Sequence, residues 1–428
     1  MTRDERQDEV IQKWKDSGCK GIFLGATGFG KTRVALKAIS RFKSKNPESS
    51  VMVIVPTDYL KEQWLGLLAD WKLDAKVEII NTVIKNRYNV DLLVYDEIHI
   101  SPADSFITAF KLVKHRLFLG LTGTISRLDG KEAIITKHYP IFDAVTMEEA
   151  IQNGWLSPYR EYMVLIDTDL EAYRQANKRF IECFAMFDYN FNLAMACVVG
   201  LKQANKIVKP AHEIRYEYAQ RLCTLKPGDP KYYPTVKELN SQITAAAFQW
   251  NKAMREKNDF IKNHPKKLEV ARKILNARPD SKAITFSATI KDAEAIGVGY
   301  TLHSGKTKKK RALTMEEFNK LDKGVLNTSR ALDVGADLPG LNLAVILSGS
   351  SSEIQKKQRL GRVIRYAPGK TAEIFNLVLR GTTEEKWAKK ASKGISYHII
   401  NEDQLEEVLS GKELETRKLE DYEEFTRF

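Results

Sequence analysis

The chain has 428 residues, about three times a typical domain of roughly 150, so two or three compact units with a sizeable core are expected. Hydrophobic residues make up 43% and charged residues 29%, with 24 Gly and 13 Pro dispersed along the chain, which excludes disorder, collagen and coiled coil. Lys and Arg total 68 against 55 Asp and Glu, and the resulting +13 favours a polyanionic partner without identifying one. No apolar run approaches the ~18 residues that span a bilayer, and Met1 to Glu9 is charged where a signal peptide turns apolar. A cytoplasmic chain with no membrane partner is expected, or a nuclear one if the host has a nucleus. Cys19, Cys183, Cys197 and Cys223 lie far apart with no C-x-x-C pair, so neither a zinc site nor a disulfide framework is suggested.

In chain order, short β-branched runs alternate with amphipathic stretches. Strands are predicted at Gly21 to Leu24, Val51 to Val55, Val77 to Ile80, Asp91 to Tyr95 and Arg116 to Leu121, with helices at Arg33 to Phe42 and Leu60 to Trp71. Strand then helix, repeated, predicts an α/β fold with a parallel sheet covered on both faces. From about Asp169 to His264 long helical patterns take over, broken by the turn-rich Lys226 to Pro234. Alternation resumes at Lys266, with strands at Ala283 to Ser287, Gly324 to Thr328, Leu343 to Ser348 and Ala372 to Leu379. The last 27 residues hold ten acidic and four basic side chains, the pattern of a solvated helical tail.

Residues 25 to 32, Gly-Ala-Thr-Gly-Phe-Gly-Lys-Thr, match G-x-x-x-x-G-K-[ST] between a predicted strand and a predicted helix. Gly25, Thr27, Gly28 and Gly30 form the loop whose backbone N–H groups wrap phosphates. Lys31 reaches the β- and γ-phosphates, and Thr32 offers its hydroxyl to Mg²⁺. The strand ending at Tyr95 runs into Asp96-Glu97-Ile98-His99. A carboxylate at such a strand end holds Mg²⁺, which is the role expected of Asp96, and Glu97 beside it is the expected general base for hydrolysis. ATP and Mg²⁺ are the cofactors these residues imply.

Further motifs follow in order: Val55-Pro56-Thr57 with Tyr59-Leu60 and Gln63-Trp64; Thr82; Gly120-Leu121-Thr122-Gly123-Thr124 with Arg127 and Asp129-Gly130; Ile284-Thr285-Phe286-Ser287; Thr328 with Gly335-Ala336-Asp337-Leu338-Pro339; and Gln358-Arg359-Leu360-Gly361-Arg362-Val363-Ile364-Arg365. In this order the chain resembles a superfamily 2 helicase of the DExH type, from near residue 7 to residue 365. The G-x-D-x-P pattern is nearest to the XPB, RecG-like and phage UvsW branch. The resemblance implies two RecA-like lobes that close on ATP, in a phage-infected host's cytoplasm if the source is a phage. Gln7 would read adenine, although Arg3 precedes it by four residues where the family often has three. Pro56, Thr57, Thr82, Ser287 and Thr328 would contact nucleic acid. His99, Thr122 and Thr124 would couple the two surfaces, and Asp337 would hold the ribose or an arginine. Arg362 and Arg365, three apart on one helical face, would act as arginine fingers, with Gln358 and Arg359 toward the same cleft. The extra N-terminal domain of UvsW-like proteins is not expected.

Residues 171 to 262 carry 15 basic and 9 acidic side chains and 13 aromatic residues, a pattern that suits stacked bases and neutralised phosphates. Phe180, Phe184, Phe187 and Phe191 lie at helical spacing and fit a helical core, which leaves nucleic acid to surface residues such as Lys202, Lys206 and Lys209. A clamp or wedge over nucleic acid is one expectation for this insert. The run Lys308-Lys309-Lys310-Arg311 fits a solvated loop and a phosphate contact equally.

The expected architecture is two RecA-like parallel-sheet lobes at about 1–160 and 263–400, a helical insert at 161–262 and an acidic tail at 401–428. The expected function is an ATP-dependent helicase or translocase, unwinding or branch-migrating DNA rather than RNA. The alternatives are an RNA helicase, a duplex remodeller that separates no strands, and a metabolic P-loop kinase, which has no use for Gln358 to Arg365. Oligomeric state is left open, a monomer being compatible.

Overall fold

The computed structural model describes residues 1–100, 103–124, 132–203, 206–225, 235–329, 338–349, 360–361, 363–367, 369–392 and 397–412. Two compact units emerge: one comprises Met1–Ile166, Lys267–Val378 and the chain from Glu384, the other Asp167–Lys266 with Leu379–Thr383. The first unit contains both expected α/β lobes.

Its first sheet is built from β1 Lys20–Gly25, β2 Val51–Val55, β3 Lys76–Ile79, β4 Tyr88–Tyr95, β5 Val113–Thr122 and β6 Ile141–Val145. The order is β3-β2-β4-β5-β1-β6, and the pairings run parallel. All five residues of β2 are buried, as a β-branched strand covered on both faces must be. Side-chain caps set the helix starts. Thr2 and Glu5 form a capping box for Arg3–Asp16, and the Thr57 hydroxyl accepts from Leu60 N–H at the head of Asp58–Asp70.

The second sheet takes β7 Tyr159–Ile166 from before the insert. After the strands β8 Leu201–Gln203 and β9 Lys206–Lys209 of the other unit, it continues with β10 Lys282–Ser287, β11 Tyr300–His303, β12 Gly324–Ser329, β13 Leu343–Ile346, β14 Ala372–Leu379 and β15 His398–Ile400, in the order β11-β12-β10-β13-β14-β7-β15. Residues 161–166 were expected in the insert and 159–160 in the first lobe, but β7 pairs with β15 through Tyr162 and His398 in the second sheet. The chain thus crosses between sheets before the insert begins.

Two other expectations change. The helix Glu402–Leu409 is packed, not a solvated tail: Leu405 and Val408 are buried, and Arg278 donates to the Val408 and Leu409 carbonyls at 3.1 and 2.9 Å, a cationic cap on the helix end. The basic run Lys308 to Arg311 is the first turn of the helix Lys308–Asn319, begun by the Thr307 cap, and Lys308 pairs with Glu62 of the first lobe. Lys226 to Pro234 and residues 413–428 lie outside the described residues. Among the described residues no helix is long and apolar enough to cross a membrane.

The second unit holds the helices Glu171–Ala185, Phe191–Val199, Ala211–Leu225 and Val236–Lys262. Phe187, Ile243 and Trp250 are its fully buried centre, with Phe180 and Phe184 stacked on Trp250 at 5.8 and 5.6 Å. The phenylalanine spacing therefore builds core, except that Phe191 is half exposed and meets Trp250 edge-on.

Within the first unit, at the boundaries with the second, lies a buried ion pair. Lys267 Nζ sits 2.6 and 2.7 Å from the two Glu384 carboxylate oxygens and donates to the Leu347 carbonyl at 3.0 Å. Burial pushes the Lys267 ammonium down from its ordinary pKa, and Glu384 opposes that shift. Removing one partner leaves the other charge buried and unpaired. Glu384→Ala should therefore cost about 3–5 kcal/mol in urea unfolding, while Lys267→Met with Glu384→Leu should recover most of it. Equal losses in the single and double variants would contradict the pairing.

Candidate active site

Three loops meet because β1 and β4 both neighbour β5. Leu24 is in register with Thr122, and Tyr95 with Gly120, so the segments after β1, β4 and β5 leave the same sheet edge side by side. That edge, at the carboxyl ends of parallel strands, is where open α/β sheets bind ligands.

The glycine-rich segment has the backbone its sequence calls for. Gly28 and Gly30 have φ of 94° and 100°, a region open to glycine at no steric cost. A Cβ on Gly30 would also lie 2.7 Å from Gln7 Nε2. Gln7 is buried, and its amide donates to the Phe29 carbonyl at 3.1 Å, while Oε1 is buried and makes no hydrogen bond. Phe29 anchors the loop in the core against Phe23 and Trp155, at ring distances of 6.0 and 5.5 Å. Arg3 is exposed. Its neighbour Arg6 is buried and holds Asp143 through two nitrogens at 2.6 and 3.1 Å, an anchor the sequence reading missed.

Lys31 opens the helix Lys31–Lys45, with Thr32 half-buried beside it, and its ammonium lies 3.8 Å from Glu97 Oε1. Asp96 is 3% exposed; one oxygen accepts from the Trp64 indole at 2.8 Å and the other from Glu97 N–H at 3.0 Å. Burial first, and the neighbouring Glu97 second, push the Asp96 carboxyl up to about 6, against the pull of Trp64 and Lys31. The sequence reading names Trp64 only within the motif that begins at Val55, and its bond to Asp96 is the second feature missed. The sequence shows only a tryptophan in a helix, and a buried indole N–H needs a partner that pattern alone does not name. Glu97 has φ 47°, and its buried Oε2 makes no hydrogen bond, with His99 Nδ1 3.4 Å away.

His99 Nδ1 lies 2.8 Å from the Thr122 hydroxyl, which donates to the Thr124 carbonyl. The single hydroxyl proton is thereby used, so Nδ1 carries the proton in the bond to Thr122. Glu97, His99, Thr122 and Thr124 form one chain of contacts from the β4 end to the β5 end.

The second lobe rests on the phosphate loop. Gly361 packs so closely on Thr27 that a Cβ there would collide with it, and a Cβ on Gly28 would lie 3.1 Å from the Gly361 carbonyl and 3.6 Å from Arg365 Cγ. The strap from Trp155 to Ser157 holds this arrangement: Ser157 N–H donates to the Ile364 carbonyl at 2.8 Å, and its hydroxyl to the Arg365 carbonyl at 3.2 Å. Desolvation lowers the Arg365 pKa from its ordinary value. Gln358, Arg359, Arg362, Asp337, Gly335, Ala336, Arg127, Asp129 and Gly130 lie outside the described residues.

The nucleic-acid candidates divide. Pro56 and Thr57 follow β2, both half-buried, and Thr57 caps the helix that carries Trp64. Thr82 lies in the short helix Ile80–Val83. Ser287 ends β10 with a buried hydroxyl that makes no hydrogen bond among the described residues. Thr328 does not fit the expectation, because it is 1% exposed and its hydroxyl donates to the Thr285 carbonyl at 2.7 Å, so no donor is left for a phosphate.

The raised Asp96 pKa has a testable sign. Between its ordinary 3.8 and about 6 the folded chain holds a proton that the unfolded chain has lost. Its contribution to stability is full below about 4 and is lost as pH rises through about 6. Asp96→Asn should gain stability relative to the parent between pH 4 and pH 7, on the order of 2–3 kcal/mol. Trp64→Phe, which keeps a ring and removes the donor, should enlarge the parent's fall over the same window. Denaturant titrations at several pH values read both effects, and a pH-independent difference would contradict them.

Two family models match the chain: "Type III restriction enzyme, res subunit" over residues 2–88 and "Helicase conserved C-terminal domain" over residues 266–367. A protein named DNA 3'-5' translocase XPB2 from Sulfurisphaera tokodaii is 25% identical over 90% of this chain and 83% of its own length. A putative DNA 3'-5' helicase Rad25 from Haloarcula marismortui is 34% identical over 92% of this chain, which spans 55% of that relative. Among solved structures, S. cerevisiae Dbp5 bound to RNA and ADP BeF3 aligns with a TM-score of 0.58 at 13% identity, over 94% of this chain and 91% of that one, a likeness of fold. The glycine-rich loop beside Asp-Glu-Ile-His, the second lobe seated on it, both domain models and the similarity to XPB-type proteins support an ATP-dependent nucleic-acid helicase or translocase with a two-lobe RecA-like fold, similar to the superfamily 2 helicases.

Proposed function

We propose that the chain is an ATP-driven translocase on DNA, of the XPB and UvsW type, that remodels or branch-migrates duplexes. The observation that carries this reading is the convergence of Lys31, Asp96 and Glu97 at one sheet edge, with Gly361 and Arg365 of the second lobe against the same loop. The donor set suits a magnesium nucleotide. Gln7 Oε1 and Glu97 Oε2 are buried acceptors with no hydrogen bond among the described residues, and the Lys31 ammonium lies 3.8 Å from the Glu97 carboxylate.

In this reading the backbone from Gly25 to Gly30 and Lys31 bind the phosphates, while Thr32 and Asp96 hold Mg²⁺. Gln7 meets the adenine with its open oxygen. When bound, the magnesium nucleotide supplies an activated phosphoanhydride and a charge that favours ionised Asp96. Trp64 keeps that carboxylate oriented from the helix begun at Thr57. Glu97 orients and deprotonates the attacking water, and His99 relays its position to Thr122 and Thr124. Arg365, with Gln358 and Arg362, neutralises charge developing on the transferred group. Asp337 holds the ribose or one of these arginines. Pro56, Thr57, Thr82 and Ser287 line the nucleic-acid path. Lobe closure on ATP and reopening on hydrolysis advance the strand.

DNA is favoured over RNA because the two relatives that cover 90% and 92% of this chain are named for DNA, while a putative ATP-dependent RNA helicase of Methanocaldococcus jannaschii covers 87% at 23% identity. ATP hydrolysis should rise with branched or duplex DNA in the parent and fall to background in Lys31→Ala and Glu97→Gln. Stimulation by RNA alone would keep the motor and overturn the substrate. Hydrolysis indifferent to every nucleic acid would overturn the motor.

A further inference from the structure

Arg365 is the second-lobe cation beside the glycine-rich loop, yet no helix holds it. Leu360, Gly361 and Val363 are helical, Ile364 is in a turn, and Arg365 stands beyond them in an isolated antiparallel bridge to Leu156. A cation that answers charge developing in a transition state has to be in place before the reaction. Here the backbone of Arg365 is fixed by two residues from other segments.

Ser157, 1% exposed, is the first of them. Its N–H donates to the Ile364 carbonyl at 2.8 Å, its hydroxyl donates to the Arg365 carbonyl at 3.2 Å, and the same oxygen accepts from Ala367 N–H at 3.1 Å. Lys370 is the second, and its ammonium donates to the same Arg365 carbonyl at 2.9 Å. A turn closed by Lys370 N–H on the Ala367 carbonyl at 3.2 Å, with Gly369 at φ 69°, brings the lysine back over the chain. Burial first and the Arg365 cation second push the Lys370 ammonium down to about 8. Desolvation and like charge both oppose this placement, and the bond to the carbonyl offsets them.

We propose that Ser157 and Lys370 are positioning residues for Arg365, a role that rests on the reading of Arg365 as the cation that neutralises the transferred group. Together they occupy both lone pairs of its carbonyl and fix the backbone from which the guanidinium projects. Ser157 comes from the strap whose Trp155 packs on Phe29 of the glycine-rich loop, and Lys370 from the turn before β14. Pro158, next in the strap, accepts from Ala372 N–H of β14 at 2.9 Å, so both donors are anchored to the second sheet while the strap also touches the loop. A latch that served only the fold would lower stability and nucleotide affinity whether or not the guanidinium were present.

Lys370→Met keeps the side chain's length and removes the donor, Lys370→Arg returns a cation, and Ser157→Ala removes the hydroxyl from the other side. ATP hydrolysis with DNA gives kcat and KM for each, ADP affinity is measured separately, and single-turnover rates are compared with Arg365 present and in Arg365→Ala. Lys370→Met and Ser157→Ala should each lower kcat by about tenfold, with KM and ADP affinity within about twofold of the parent, because the guanidinium acts on the transition state. Lys370→Arg should recover most of the loss, and neither substitution should slow the residual rate further once Arg365 is replaced. A residue whose removal leaves kcat unchanged is not a positioning residue. Equal losses with and without Arg365, or ADP affinity falling in step with kcat, would also overturn the role. If Ser157→Ala does not fold, the more exposed Lys370 decides. Unchanged kcat in Arg365→Ala itself would overturn the reading of that arginine, and the positioning role with it. A rate lost in Arg365→Ala and kept in the other two variants would overturn the positioning role alone.

Discussion

Two adjacent carboxylates held inside the protein at the end of β4 are the constraint around which the first lobe is arranged. Burial and mutual repulsion raise Asp96 to about 6, so neighbours must supply donors and positive charge. Trp64 gives a hydrogen bond from one helix, Lys31 a cation from another, and the Glu97 N–H turns back onto Asp96. His99, itself fastened to Thr122, stands beside Glu97. No single element provides this set. It exists because β5 brings the ends of β1 and β4 to its two sides.

The same edge receives the second lobe. Gly361 against Thr27, and Gly28 against Leu156 and the Gly361 carbonyl, are approaches that side chains at the glycines would block. The strap Trp155 to Ser157 is a link of both lobes: Trp155 packs on Phe29 of the phosphate loop, and Ser157 bonds the Ile364 and Arg365 carbonyls. An apolar cluster continues through Phe29, Leu156, Leu360 and Ile364. A shift of the glycine-rich loop therefore bears directly on the segment that carries Arg365.

The helical unit is built on a different rule. Its core is aromatic and self-contained around Trp250, and its one small sheet is left outside that core. The unit's two chain boundaries carry the Lys267–Glu384 pair, whose burial is costly unless both charges are present and well placed. Residues 379–383, far along the chain, belong with this unit. A chain-order division into lobe, insert and lobe does not contain that feature.

What the sequence determined by itself is what short-range chemistry specifies. The glycines and lysine of residues 25–32 need a particular backbone, Asp96 and Glu97 need a strand end, and β-branched runs need a covered sheet, so the two-lobe α/β class and the loop beside the two carboxylates were legible from pattern. The Phe180, Phe184 and Phe187 core was legible for the same reason, at helical spacing. The tertiary structure decided everything that depends on pairings between distant residues. Tyr159–Ile166 could be assigned to the second sheet only by its strand partner at His398, and Leu405 and Val408 become core only against that sheet. Thr328 has a hydroxyl that any sequence reading leaves available, and the neighbouring strand's carbonyl consumes it. Trp64 meets Asp96 across 32 residues, and Ile207 and Val208 are exposed on a hairpin that no local pattern distinguishes from a packed one. Propensity and motif spacing act over a few residues, whereas burial and hydrogen-bond partners are set by the whole fold.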